Sequence, residues 1–121
     1  MAAAAQFATL LVALLHVWFL VLEMCLWTKP SGRRVFRLSE EQARATRTLA
    51  ANQGLYNGFL AAGLFWGVAL GAAGINQRFF FLGCVIVAGV FGAATVGRKI
   101  LFVQALPALV ALGLNLGISH S

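Results

Sequence analysis

The chain has 121 residues, of which 61% are hydrophobic and 10% charged, and its mean hydropathy is +0.89. Uncharged stretches of more than about 18 residues lie on either side of a basic segment, residues 29–47, as is typical of membrane-spanning helices. The composition therefore predicts an integral membrane protein in contact with the lipid bilayer and excludes a soluble globular domain. Because basic residues cluster at membrane boundaries, the net charge of +6 does not indicate a nucleic-acid partner, and none is expected.

Four helices are predicted in chain order. The first ends at the Lys-Pro-Ser-Gly turn of residues 29–32. Ser39 and Gln42 have capping-box spacing, so the second helix begins before the membrane and extends into the cytoplasm. Pro107 is expected to kink the fourth helix. We predict one all-α domain, a four-transmembrane-helix bundle. Its spans are residues 4–27, 43–74, 79–97 and 100–118.

Basic residues are distributed unequally between the two sides of this predicted bundle. Of the nine lysines and arginines, eight fall on one side of the bundle and only Arg78 falls on the other. The positive-inside rule therefore predicts a multi-pass protein of the cell (inner) membrane, with the N-terminus and the C-terminus both outside the cytoplasm. The eight basic residues on the cytoplasmic side are Lys29, Arg33, Arg34, Arg37, Arg44, Arg47, Arg98 and Lys99.

Glu23 is the one acidic residue within an apolar stretch of the sequence. A carboxylate at the centre of a membrane helix costs roughly 2.5–3.5 kcal/mol, so Glu23 is expected to face partners, water or a ligand. With Trp27 at the cytoplasmic end, Glu23 lies roughly 6 Å deep and His16 roughly 16 Å deep. The seven-residue spacing predicts that His16 and Glu23 share one helix face.

Amide side chains of the second and fourth helices are predicted at a similar depth. Asn52 and Gln53 lie about one turn into the membrane and Asn57 about 12 Å in, with Tyr56 on the same side of the helix. Gln104 lies about 6 Å in, level with Glu23. This depth match predicts a polar pocket near the cytoplasmic leaflet. Small residues that permit close helix packing are expected to close it toward the outside; they are Gly63, Gly67 and Gly71.

Each of these polar residues also has a structural interpretation. Amides in membrane helices often serve as interhelical hydrogen-bond partners, worth about 0.6 kcal/mol each. Glu23 is either ion-paired, with Arg98 or with an arginine of the first loop, or acts as a proton acceptor or cation anchor. His16 is either a packed core histidine or a proton relay to Glu23.

Metal and cofactor sites are not expected from this sequence. The second histidine, His120, is predicted on the opposite side of the membrane from the polar cluster, and Cys25 and Cys84 are predicted on opposite faces. Phosphate loops, dinucleotide fingerprints and nucleophile motifs are absent from the sequence. Enzymatic activity is therefore neither indicated nor excluded.

The sequence ANQGLYNGFLA at residues 51–61 resembles the signature of the domain of unknown function 1304 family of small bacterial integral membrane proteins. Three other stretches agree with that family: His16 with residues 23–27, residues 92–95, and residues 104–108. The resemblance implies a four-helix membrane protein and no particular reaction. Its motif positions coincide with the polar cluster inferred from depth.

Three functions fit these observations. The first is a pocket that binds or transforms a small lipophilic or cationic ligand, with Glu23 as its anchor. The second is a proton-coupled small-molecule transporter, and the third is a structural or accessory protein without a ligand. A homo-oligomer is also compatible with the sequence, because Gly54 with Gly58, and Gly113 with Gly117, have the spacing of close helix contacts. The same spacing would serve contacts within one bundle.

Overall fold

A computed structural model describes residues 2–119, which form helices and short connections without a β-strand. The all-α prediction is confirmed. Helix α1 continues directly into a π-helical turn, and a second π-helical turn precedes α6. The helices are α1 (Ala2–Leu20), α2 (Pro30–Phe36), α3 (Glu40–Ala45), α4 (Arg47–Ala69), α5 (Ile75–Thr95) and α6 (Leu106–Ser119); the π turns are Val21–Cys25 and Leu101–Ala105, and a 3₁₀ turn covers Gly71–Gly74.

Three segments are long and apolar enough to cross a membrane: Ala2–Cys25, Gly71–Thr95 and Leu101–Ile118. These spans identify the chain as a membrane protein by length and composition. Helix α4 is not among them although it has 23 residues, because the amide-rich sequence near its start lowers its hydropathy. A fourth span through α4 stays a prediction.

The predicted second helix is divided in the structure. Its capping box is present: the Ser39 hydroxyl accepts from the Gln42 backbone N–H at 3.1 Å, and the Gln42 side chain accepts from the Ser39 N–H at 2.9 Å. The helix is interrupted at Thr46, whose hydroxyl donates to the carbonyl of Gln42 at 2.8 Å. Such local hydroxyl bonds compete with regular helix geometry, which is why α3 and α4 are separate. Gly71, with a φ of +61°, lies beyond the end of α4.

The fourth predicted helix departs from α geometry next to Pro107. Proline lacks the N–H that would bond to the carbonyl of Val103 four residues earlier. The chain forms the π turn Leu101–Ala105 instead, and the Leu106 N–H bonds to the carbonyl of Leu101. Pro107 then lies in the first turn of α6, where a missing N–H is tolerated.

The described residues divide into two compact units. The larger contains residues 2–14 and 60–119, and the smaller contains residues 15–59. In the larger unit, Gly63 lies against the Phe81 ring and Gly67 against Arg78, so α4 and α5 pack closely. Its core consists of Val12, Ala13, Leu64, Leu82, Val85, Ala108 and Ala111.

The smaller unit is organised around Trp27. The Trp27 ring packs against Phe36 of α2, with ring centroids 4.8 Å apart. Its indole N–H donates to the Thr46 hydroxyl at 3.0 Å, which joins the end of the first span to the α3–α4 junction. These contacts hold the basic segment against the end of the π turn that carries Glu23.

Candidate functional site

Glu23 and Asn57 are in direct contact within the smaller unit. The Asn57 side-chain amide donates to Glu23 Oε1 at 2.5 Å, and Asn57 is 6% exposed whereas Glu23 is partly exposed. Gly54, one turn before Asn57, lies so close that a Cβ there would be 2.6 Å from Met24 Cγ and 3.0 Å from Glu23 Cβ. The absence of a side chain at Gly54 therefore lets α4 approach the π turn closely enough for this bond.

The π turn sets the direction of the Glu23 side chain. Glu23 is the middle residue of Val21–Cys25, and the Leu26 N–H bonds to the carbonyl of Val21, five residues earlier, at 3.1 Å. Because a π turn holds more residues than an α turn, α-helical spacing does not relate His16 to Glu23 directly.

The second carboxylate oxygen of Glu23, Oε2, has no hydrogen-bond partner within residues 15–59. Within residues 15–59, the only ion pair shorter than 4.0 Å joins Glu40 to Arg44, both exposed, at 2.7 Å. An ion pair between Glu23 and a loop arginine is therefore not formed in this unit. Pairing with Arg98, which belongs to the larger unit, stays a prediction.

The other predicted site residues occupy varied surroundings. His16 is fully buried, and its ring meets the Phe19 ring edge-to-face at 5.1 Å. Asn52, Gln53 and Tyr56 are exposed on α4, and within residues 15–59 none of them hydrogen-bonds to Glu23. Gln104 is partly buried in the π turn Leu101–Ala105 of the larger unit. Glu23 and Asn57 are joined directly. A shared site for all seven residues stays a prediction.

Arg78 has a buried structural role that its sequence position does not indicate. The predicted spans 43–74 and 79–97 leave Arg78 in the connection between two helices, yet it lies in the first turn of α5 and is 2% exposed. Its Nη1 donates to the carbonyls of Gly67 and Gly71 at 2.8 and 2.7 Å, and its Nε donates to Asn115 Oδ1 at 2.7 Å. Carbonyls at the end of a helix have no partner within it, and Arg78 supplies one for the end of α4.

Asn115 extends this network to the first helix. Its amide donates to the Thr9 hydroxyl at 3.1 Å and to the carbonyl of Ala111 at 2.8 Å, and Thr9 donates to Ala5. The chain from Arg78 through Asn115 to Thr9 thus links α5, α6 and α1 inside the larger unit. The signal in the sequence was an asparagine, Asn115, in the otherwise apolar segment of α6, because such a residue requires a polar partner.

Cysteines and histidines do not assemble into a metal site in the described part of the chain. No three histidine, cysteine or acidic side chains come together across residues 2–119, and Cys25 and Cys84 are free thiols. His120, the second histidine of the sequence, lies outside the described residues.

Comparison with known proteins identifies relatives along most of the chain. Residues 10–116 match the family described as "Protein of unknown function (DUF1304)". The chain is also 30% identical over 106 residues to "Uncharacterized protein YpaA" of Lactococcus lactis subsp. lactis (strain IL1403), covering 86% of this chain and 89% of that protein. No solved structure matches the chain. The protein therefore belongs to the DUF1304 family of proteins, as the NQGLYN element predicted.

Proposed function

We propose that this protein is a four-span protein of the cell membrane that binds a small lipophilic or cationic ligand at Glu23, near the cytoplasmic leaflet. The proposal makes α4 the additional span, because its 23 residues extend over roughly 34 Å, enough to cross about 30 Å of hydrocarbon. The basic α2–α3 segment then lies in the cytoplasm, and both termini lie outside it.

One observation carries the ligand proposal. Glu23 Oε1 is held by the Asn57 amide, whereas Glu23 Oε2 has no hydrogen-bond partner in residues 15–59 and the residue is partly exposed. Asn57 therefore orients the carboxylate and leaves one oxygen available to a ligand. Hydrogen bonds from a cationic donor to a carboxylate are roughly twice as strong as neutral ones, which favours an amine or another cation.

The remaining candidate residues have subsidiary parts in this proposal. Asn52, Gln53 and Tyr56 are exposed polar groups on the helix that carries Asn57, and they would orient polar parts of the ligand. His16 would relay protons to Glu23, and Gln104 would contribute an amide at the same depth. Ligand binding is the whole of the proposed activity, and no reaction is assigned.

A packing role is the second candidate, and the same hydrogen bond favours it. The Glu23–Asn57 bond lies where Gly54 brings two helices together, which is the usual setting of an interhelical amide contact. A packing role, however, requires only the Oε1 atom that accepts from Asn57, whereas ligand binding requires the negative charge and Oε2. Glu23→Gln removes the charge and Oε2 but keeps an acceptor for Asn57, so it should abolish ligand binding and preserve packing.

Native mass spectrometry of the detergent-purified protein tests the proposal. Glu23→Gln keeps an acceptor for Asn57 but removes the negative charge, so we expect a co-purifying ligand in the wild type that is lost in this variant. Glu41→Gln is the matched control, because Glu41 is an exposed glutamate of the same unit. Absence of any ligand in the wild type would contradict the proposal.

Two other outcomes would support the alternative functions. Lower thermal stability of Glu23→Gln, with no ligand bound to the wild type, would support a packing role. A proton flux in liposomes that Glu23→Gln abolishes would support transport.

A further inference from the structure

The segment after the first span carries cations without carboxylate partners. Helix α2 and its flanks contain Lys29, Arg33, Arg34 and Arg37. Within residues 15–59 the single ion pair is that of Glu40 with Arg44, so none of these four side chains is neutralised by an acid of its own unit. Such a concentration of positive charge at a membrane boundary attracts phosphate groups.

This basic helix is packed directly onto the end of the turn that carries Glu23. A Cβ on Gly32 would lie 1.9 Å from the carbonyl oxygen of Leu26, so α2 touches the backbone of Leu26. Leu26 follows Glu23 by three residues, which is roughly 5 Å along a helix axis. The contact of Trp27 with Phe36 holds α2 in this place. Arg33 therefore follows directly after the residue at which α2 touches the end of this turn.

Arg33 differs from its neighbours because part of its guanidinium is buried without a partner. Its Nε is inaccessible and makes no hydrogen bond with any described residue, whereas Arg34 is exposed. A buried donor without a partner costs about 1–3 kcal/mol, so the Arg33 guanidinium would be more stable when turned toward an acceptor outside the chain. Phosphate oxygens match a guanidinium well, because they accept two parallel N–H bonds.

We propose that the ligand is a zwitterionic phospholipid with a primary ammonium group, whose ammonium binds Glu23 and whose phosphate binds Arg33. This assignment rests on the proposed ligand site at Glu23 and adds the chemical class of the ligand. Glu23 and Arg33 lie on the same short segment, residues 23–33. The carboxylate would accept from the ammonium and the guanidinium would donate to the phosphate, and in such a lipid these two groups are joined by two carbon atoms.

A lipid fits this position better than a soluble zwitterion. Glu23 lies at the end of a membrane-spanning segment, where headgroups are located, and Trp27 is of the residue type enriched at that level. Met24 and Val35 are exposed apolar side chains on the π turn and on α2, so they would contact acyl chains next to the headgroup.

Binding of defined lipids measures this directly. The purified protein is exchanged into nanodiscs of phosphatidylcholine that contain equal small amounts of phosphatidylethanolamine and phosphatidylglycerol, and retained lipids are counted by native mass spectrometry. We expect the wild type to retain phosphatidylethanolamine at least about tenfold over phosphatidylglycerol, since one hydrogen bond to a charged group is worth that factor. Equal retention of the two lipids would overturn the proposal.

Four variants separate the two contacts. Arg33→Ala is expected to lower phosphatidylethanolamine retention about tenfold, and Arg33→Lys less, because lysine keeps the charge without the planar donors. Arg34→Ala, an exposed arginine on the same helix, is expected to retain it. Glu23→Gln should remove the preference for phosphatidylethanolamine over phosphatidylglycerol.

The failures of the two proposals are distinguishable. An equal loss in Arg33→Ala and Arg34→Ala would show unspecific attraction and overturn the assignment of Arg33. Competition by soluble phosphoethanolamine as strong as that by the lipid would overturn the lipid assignment. A different ligand that Glu23→Gln abolishes and Arg33→Ala leaves in place would overturn this inference while the ligand site at Glu23 stands.

Discussion

The Asn57 amide donates a 2.5 Å hydrogen bond to the Glu23 carboxylate across 34 residues of sequence. This bond joins α4 to the π turn at the end of the first span, and it determines which carboxylate oxygen is left for another group. Burial of Asn57 and partial exposure of Glu23 mean that the amide lies behind the acid as its support.

Loss of the Asn57 amide should destabilise the protein. Asn57→Ala leaves Glu23 Oε1 without its donor in a partly buried place, and we expect a decrease of about 1–3 kcal/mol in the free energy of unfolding. Thermal unfolding in detergent measures this change. Asn52→Ala is the control on the same helix, because Asn52 is exposed and its loss should change stability by less than about 0.5 kcal/mol. Equal shifts in the two variants would contradict a supporting role for Asn57.

A larger side chain at Gly54 should separate α4 from the π turn. The new Cβ of Gly54→Val would lie 2.6 Å from Met24 Cγ, and overpacking of this kind costs about 1–3 kcal/mol. We expect a lower melting temperature together with loss of any ligand that depends on Glu23. Gly83→Ala is the control, since a Cβ there would have no described atom within 4 Å outside its chain neighbours and its own helix backbone. It should be neutral or stabilising by up to about 1 kcal/mol. A melting temperature unchanged by Gly54→Val would refute the close contact.

Replacement of Arg78 should destabilise the larger unit. Arg78→Met removes three hydrogen bonds and takes a donor away from Asn115 Oδ1 and from two backbone carbonyls, so we expect a loss of at least about 2 kcal/mol. Arg78→Lys should recover little of this, because an ammonium lacks the planar fork of donors that reaches all three acceptors. Chemical denaturation in detergent tests both variants against Arg34→Met, an exposed arginine. If Arg78→Lys is as stable as the wild type, the positive charge alone, without the planar guanidinium, is enough to stabilise the larger unit.

Cysteine labelling should establish whether α4 crosses the membrane. In a background without Cys25 and Cys84, Ala73→Cys in the turn after α4 is expected to react with an impermeant thiol reagent on intact cells. Arg37→Cys, in the basic segment before α4, is expected to react only after permeabilisation. Both positions are exposed in the structure, so accessibility within the protein does not limit the reaction. Labelling of both residues from the same side would exclude α4 as a span.

Local chemistry allowed much of the fold to be predicted. Hydropathy alone identifies membrane segments, because about 20 apolar residues are what a bilayer requires. The capping box of Ser39 and Gln42 and the irregular turn before Pro107 follow from groups within a few residues of each other. The NQGLYN element likewise indicated the family without knowledge of any contact.

Tertiary structure decided which polar groups meet. Helical spacing shows which residues share a side, but it does not show which sides of two helices face each other. The π turn at Glu23 depends on packing, as does the choice of Asn57 over a loop arginine as its partner. The same holds for Arg78, which reaches Asn115 across 37 residues although the predicted spans left it in the connection between two helices. Such long-range pairs form only where close helix contacts exclude water, and that exclusion is a property of the folded chain.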